Sequence, residues 1–295
     1  MLKTTAAILI AACLLLSACG EQETPTTENT APENETVSSA PSEESNTSNA
    51  VEDGLPSSQD SLEQTQEQET EQETTEDKKE QHMEKTYHMN ENYYIKPNDE
   101  KGEKKVVLLT FDDGPKEAEM INGLIDTLDK HDAKAIFFVN GYRVKSHPEL
   151  LKLIYEREQI IGNHAWDHED LKKMSASEAA KQVTDVQHIV KETIGVEPEF
   201  FRPPFGSGND ALKETVKQNG MLYMTWSNGS LDWDKSTQNK PDKVVQNVLD
   251  QLNPGSNILM HELPWTVEAL DDLLTKLEKK GYSFVDPRSI ELQAR

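Results

Sequence analysis

From Lys105 onward the chain alternates between short apolar runs and longer amphipathic stretches, and no other feature limits its possible folds as strongly. The run KVVLLTF, 105–111, is nearly continuous in apolar residues rather than alternating, as expected of a strand buried on both faces. Met120, Ile121, Leu124, Ile125 and Leu128 then recur at helical spacing. AKAIFFVN, IIGNH, EFFRPPF, MLYMTWS, SNILMH and YSFVD read as further short strands. PELLKLIYERE, SEAAKQVTDVQHIVKETIG, DALKETVKQNG, PDKVVQNVLDQL and TVEALDDLLTKLEKKG read as the helices between them. Seven strands alternating with six helical segments predict a parallel α/β domain. Periodicity leaves open whether the units close as a barrel or form an open doubly wound sheet.

The stretch before this pattern has a different chemistry. Residues 20–90 carry 19 Asp and Glu against three Lys, so most of the net charge of −24 sits there. Glu, Gln, Thr, Ser, Asn and Pro dominate, and so few branched apolar residues cannot offset the entropy of ordering. We read a disordered tether, able to span roughly 200 Å when fully stretched. The acidic excess repels phosphate backbones and excludes nucleic acid as an expected partner. Ahead of it, Lys3 and AAILIAACLLL have the form of an export signal, too short for a comfortable membrane-spanning helix. The signal ends in Leu16-Ser17-Ala18-Cys19, which resembles a bacterial lipobox and makes Cys19 the expected lipidation site. An ordinary secretory signal is the competing reading. The two cysteines both lie in this leader, so no disulfide and no thiolate site is expected in the domain. The expected organisation is a signal peptide over 1–18, a lipidated cysteine and acidic linker over 19–90, and one domain over 91–295. The whole is expected as a monomer outside the cell membrane, held to it only through the lipid.

Titratable residues fall where the strands end. Asp112 and Asp113 follow VVLLTF, His164 follows IIGN, Arg202 follows EFF and His261 follows ILM. In a parallel sheet all C-terminal strand ends lie on one face, so these groups should converge. His164 and His168 are four apart and near enough to share a ligand. With a carboxylate from a neighbouring strand end they make a three-donor set with open positions, and Asp113 is the candidate. A dication there would also offset the repulsion between Asp112 and Asp113. Strand alternation would send these two side chains to opposite faces, so Gly114-Pro115 is expected to break the strand and let both enter one site.

TFDDGP, the HxxxH of NHAWDH, RPPFG, Asp232-Trp233 and LMH, in this order, resemble the polysaccharide deacetylases with the NodB homology domain, carbohydrate esterase family 4. The resemblance covers roughly residues 103–287. It implies a distorted (β/α) barrel of about seven strands and a divalent metal, usually zinc. It also implies roles: Asp112 the general base, and Asp113, His164 and His168 the metal ligands. Arg202 would orient Asp112, the Phe205 backbone N–H would help hold an oxyanion, and His261 would be the general acid supported by Asp232. The implied activity is removal of N-acetyl groups from an envelope glycan, with peptidoglycan N-acetylglucosamine as the expected substrate. Chitin oligomers, exopolysaccharide and acetyl-xylan are the alternatives within the family.

Three positions depart from the family pattern. Ala165 stands where a Ser or Thr usually braces the histidine loop, Gly229 replaces an Asp, and Glu262 replaces the Asp that more often follows the last histidine. The first two leave room for a weakly active, glycan-binding lipoprotein. An Fe(II) oxygenase, which also uses two histidines and a carboxylate, is disfavoured by Asp112 and by the export signal. Trp233 and Trp265 flank motif residues and could stack on a sugar or pack in the core, Trp226 is expected in the core, and His131, His147 and His188 are expected at surface or boundary positions.

Overall fold

The computed structural model describes residues 83–295; the signal peptide, Cys19 and the acidic linker up to residue 82 lie outside the described residues. Two short strands come first, β1 (Tyr87–Met89) and β2 (Ile95–Pro97), paired antiparallel. The sequence reading starts the domain at 91, but the backbone is already paired at Thr86, whose N–H donates to the Ser289 carbonyl. Strands of three residues are too short to show a period.

The main body runs β3 (Val106–Gly114), α1 (Ala118–Lys130), β4 (Ala135–Val139), α2 (Gly141–Ser146), α3 (Pro148–Glu156) and β5 (Ile160–Asn163). It continues through α4 (Ala176–Ile194), β6 (Phe200–Phe201), α5 (Asp210–Gln218), β7 (Leu222–Tyr223) and β8 (Asn228–Gly229). The last elements are α6 (Pro241–Asp250), β9 (Ser256–His261), α7 (Pro264–Lys279) and β10 (Ser283–Phe284). Seven strands, all pairing in parallel, form a curled sheet in the order β7-β6-β5-β4-β3-β9-β8, a half-barrel. The expected number of strands holds, but the membership shifts. YSFVD yields β10, which pairs with the start of β3 off this path. The seventh place goes to β8, whose two residues Asn and Gly carry no apolar signal. Among the described residues no helix is long and apolar enough to cross a membrane.

The strand period sorts the core into two layers. Val107, Leu109 and Phe111 of β3 and Ala135, Phe137 and Val139 of β4 face the helices, where Leu124, Ile154, Val244 and Leu273 meet them. Val106 and Leu108 of β3 and Ile136 and Phe138 of β4 face inward, with Phe200 and Leu222, under Met89 and Ile95 of the first two strands. All of these side chains are nearly or completely buried, and each of them larger than Ala135 contributes about 1.5–3 kcal/mol by leaving water. Alternation carries the inner row of β3 on to Thr110 and then Asp112. The helices have local stops and starts of their own. Ser175 and Glu178 form a capping box at the head of α4, and Gly195 ends it at a left-handed φ of 82°.

Candidate active site

Arg202 follows β6 and is completely buried, lying over the Phe138 ring at 4.4 Å. Its Nη1 donates to Asp112 Oδ1 and to Thr110 Oγ1, both at 2.7 Å, so two successive residues of the inner row of β3 share one donor. Nε and Nη2 donate to the Thr225 carbonyl at 3.1 and 2.9 Å, and Nη2 also donates to Asn257 Oδ1 at 3.1 Å. Burial pulls the guanidinium below its ordinary pKa, and the Asp112 carboxylate works against that fall. Thr110, Thr225 and Asn257 carry no signal of this role in the sequence, because strand pairing brings them within reach of Arg202.

Both carboxylates enter one site because the strand alternation breaks at Asp113 itself, one residue before the Gly-Pro expected to break it. Asp113 takes a left-handed φ of 66°, and the pairing of β3 with β4 shifts register between Phe111 and Gly114. Aspartate tolerates this region better than most residues. The turn aims Asp113 Oδ1 at His164 Nε2 (3.4 Å) and His168 Nε2 (3.1 Å). Three donor atoms, one from each residue, lie within 4.8 Å of one another. His164 Nδ1–H donates to the Arg202 carbonyl at 2.7 Å, which fixes the tautomer and leaves Nε2 with its lone pair toward the cluster. Asp113 Oδ1 is buried and accepts no hydrogen bond. Burial works to raise the Asp113 carboxyl, but the imidazoles of His164 and His168 and the charge of His261 hold it far below the ordinary carboxylate range. An ionised, buried oxygen without a donor, flanked by two imidazoles, fits a divalent cation of nitrogen and oxygen preference. Asp112 Oδ2, the oxygen not bonded to Arg202, lies 3.7 Å from His164 Nε2, beside this cluster.

His261 ends β9 on the opposite side. Its Nδ1 pairs with Asp232 Oδ1 at 2.7 Å, and Asp232 Oδ2 accepts from the His261 backbone N–H and from Thr266 Oγ1, each at 2.7 Å. Its Nε2 is left facing Asp113 Oδ2 at 4.0 Å. Burial lowers the imidazole pKa, but the Asp232 hydrogen bond and the charges of Asp232, Asp112 and Asp113 outweigh it and raise the value above the ordinary one. Thr266, a donor from the first turn of α7, is a second partner the sequence does not reveal.

Phe205 stands at the rim with its ring exposed and edge-on to His168, centroids 4.8 Å apart. Its φ is 60°, and Ala165 and His168 have φ of 62° and 55°. Four non-glycine residues in the left-handed region around one point, counting Asp113, mark a site held by its surroundings. Trp233 is exposed and edge-on to His261 at 5.2 Å, while Trp265 Nε1 donates to the Asp232 carbonyl at 2.8 Å. Trp226 is only partly buried and packs under Gly206. His131 takes a boundary position, its side chain 6% exposed and held between Asp271 and Glu278 of α7.

The three departures from the family pattern each have a local account. The Ala165 N–H donates to Asn163 Oδ1 at 3.0 Å, and Gln182 Oε1 accepts from the N–H groups of Trp166 and Asp167, so amides brace the histidine loop without a hydroxyl at 165. Gly229 is held on both sides by the Gln251 amide. Glu262 is buried against Gly114, and its Oε2 accepts the Lys116 N–H at 2.8 Å, propping the turn after Asp113. Burial pushes its carboxyl up to about 7. A raised folded pKa gives stability that is full below the ordinary value and is lost as pH rises through about 7. Glu262→Gln should therefore remove roughly 3 kcal/mol of pH-dependent stability across that window, read from urea unfolding at several pH values with chelator present. An unchanged slope would refute it.

Comparison with known proteins adds to this geometry. A family model described as polysaccharide deacetylase matches residues 99–224. The chain is 36% identical over 224 residues to the peptidoglycan-N-acetylmuramic acid deacetylase PdaC of Bacillus subtilis, covering 72% of this chain and 46% of that protein. It thus spans less than half the length of that relative. A peptidoglycan-N-acetylglucosamine deacetylase of Bacillus cereus is 36% identical over 190 residues, covering 62% of this chain and 69% of that protein. The crystal structure of a CE4 family pseudoenzyme from Bacillus anthracis is similar with a TM-score of 0.58 at 31% identity, covering 61% of this chain and 63% of that one.

Proposed function

The chain belongs to the polysaccharide deacetylase family, and from that premise we propose that it is a metal-dependent hydrolase removing N-acetyl groups from peptidoglycan N-acetylglucosamine. One observation carries the reading: Asp112, tied to Arg202, and His261, tied to Asp232, flank the same Asp113–His164–His168 cluster. Pure binding would need neither a positioned base nor a positioned acid. A divalent ion held by those three residues, zinc in this reading, supplies Lewis acidity toward water and the amide carbonyl.

The chain's own groups do the rest. Arg202 occupies Asp112 Oδ1 and leaves Oδ2 to accept a proton from the attacking water. The water oxygen bonds to the acetyl carbonyl carbon, and the negative charge moves to the carbonyl oxygen, toward which the Phe205 backbone N–H donates. The amine is too basic to leave unprotonated. His261, its pKa raised by Asp232, gives the proton from Nε2 to the nitrogen as the C–N bond breaks. Acetate and a free glucosamine-type amine result.

Lipidation at Cys19 and the acidic tract would hold the domain outside the cell membrane within reach of the wall, an arrangement that detergent-phase partitioning of the full chain checks. The decisive assay is mass spectrometry of peptidoglycan incubated with the protein. We expect the loss of one acetyl unit per modified sugar, abolished by chelation and restored by added zinc. No such product from peptidoglycan, chitin oligomers or acetyl-xylan would sink the reading. A glycan-binding protein without catalysis is the second reading, raised by the pseudoenzyme relative. Unchanged wall acetylation with glycan binding retained in Asp112→Ala would favour it.

A further inference from the structure

A pocket of about 280 Å³ opens from Asp113 and His261 toward the loop that follows Asp232, and Trp233, Lys116 and Lys235 line it. Trp233 is exposed at this pocket, and an indole is a side chain on which a sugar ring stacks. Residues 91–295 hold 35 acidic against 26 basic side chains, so the two lysine ammonium groups line one pocket in a domain of net negative charge. Among the described residues neither the Lys116 nor the Lys235 ammonium makes an ion pair or a hydrogen bond. Asp234 is the one carboxylate at the pocket rim, and its Oδ1 accepts the Ser236 N–H at 2.7 Å. Asp113, at the floor, faces the two imidazoles.

We propose that this pocket is a subsite for a carboxylate borne by the sugar unit next to the one being deacetylated, with Lys116 and Lys235 as the recognising charges and Trp233 as the platform. The proposal rests on the deacetylase reading for the position of the reacting sugar. A neutral glycan could accept hydrogen bonds from two ammonium groups beside its path but would gain no charge pairing, whereas a wall strand offers carboxylates at alternate units. They come from two sources, the lactyl ether of a peptide-free sugar or the acidic groups of an attached peptide, and both present the same anion.

The test compares three substrates of equal sugar length: neutral N-acetylglucosamine oligomers, peptide-free strands with a free lactyl carboxylate, and strands carrying peptides. Both kcat/KM and affinity, the latter from tryptophan fluorescence, are measured for the full chain and for Lys116→Gln, Lys235→Gln and the double variant. We expect a preference for carboxylate-bearing substrate that the double variant reduces about three- to tenfold, largely through KM, since exposed ion pairs are individually modest. Raising the salt concentration should narrow the preference in the parent but less in the double variant. A preference for peptide-free strands alone assigns the carboxylate to the lactyl group, and one for peptide-bearing strands alone assigns it to the peptide. Equal losses on neutral and anionic oligomers, or no change in preference, would overturn the proposal. Absence of turnover on every substrate would instead refute the deacetylase reading, while the binding data would still decide whether the lysines select an anion.

Discussion

Asp112→Asn is expected to lower kcat by about 10³, within the range for a positioned general base, while KM changes little. The amide keeps an oxygen for Arg202 Nη1 and keeps the shape of the inner row, but it cannot take a proton from water. Metal content should be retained, because Asp113, His164 and His168 are untouched. A fall in kcat with KM and metal content unchanged is the signature of a group that acts in the transition state. Activity within tenfold of the parent would remove Asp112 from the mechanism and leave only its pairing with Arg202.

The second large effect is on stability. Arg202→Met should cost about 3–5 kcal/mol in urea unfolding, the loss expected when one partner of a buried ion pair is removed. The guanidinium makes five hydrogen bonds in a fully buried position. Its removal leaves Asp112 without a counter-charge, and the Thr225 carbonyl and Asn257 lose a donor. Arg202→Lys should recover only a fraction, because a single ammonium cannot reach Thr110, Asp112, Thr225 and Asn257 together. The double variant Asp112→Leu/Arg202→Met separates the two roles of the pair. It should regain much of the stability lost by Arg202→Met, since an apolar pair of similar volume can replace a buried ion pair, and it should remain inactive. A double variant no more stable than Arg202→Met would point to the Thr225 and Asn257 contacts as the source of the loss.

What the sequence allows one to read follows the range of each interaction. Apolar runs and helical spacing are local, so β3, β4, α1 and α4 lie where their patterns place them. The strand ends could be read together because parallel strands share a direction, which is why Asp112, His164, Arg202 and His261 converge on one face. Their roles came from the resemblance of TFDDGP, HxxxH and RPPFG to a family, not from spacing. Elements of two or three residues, β1, β2 and β8, carry too few positions to show any period. Partners such as Asn257 for Arg202 and Thr266 for Asp232 depend on register and on helix placement across the chain. No local pattern encodes them. The left-handed turn at Asp113 escaped for a related reason: Gly-Pro is a conspicuous breaker, and an aspartate in that conformation is not.

The inner row of β3 has a consequence for anyone moving or editing this domain. Val106, Leu108, Thr110 and Asp112 share one side of the strand, so the proposed base and the core beneath it obey the same parity. Deleting or inserting one residue between Lys105 and Leu109 would turn Asp112 toward the helices and bring Phe111 against Arg202. A change of two residues would keep the parity and shift only the depth. Transplanting the site to another sheet is therefore a matter of counting positions from the core, and a graft that copied the motif letters in the wrong phase would carry every residue and lose the machine.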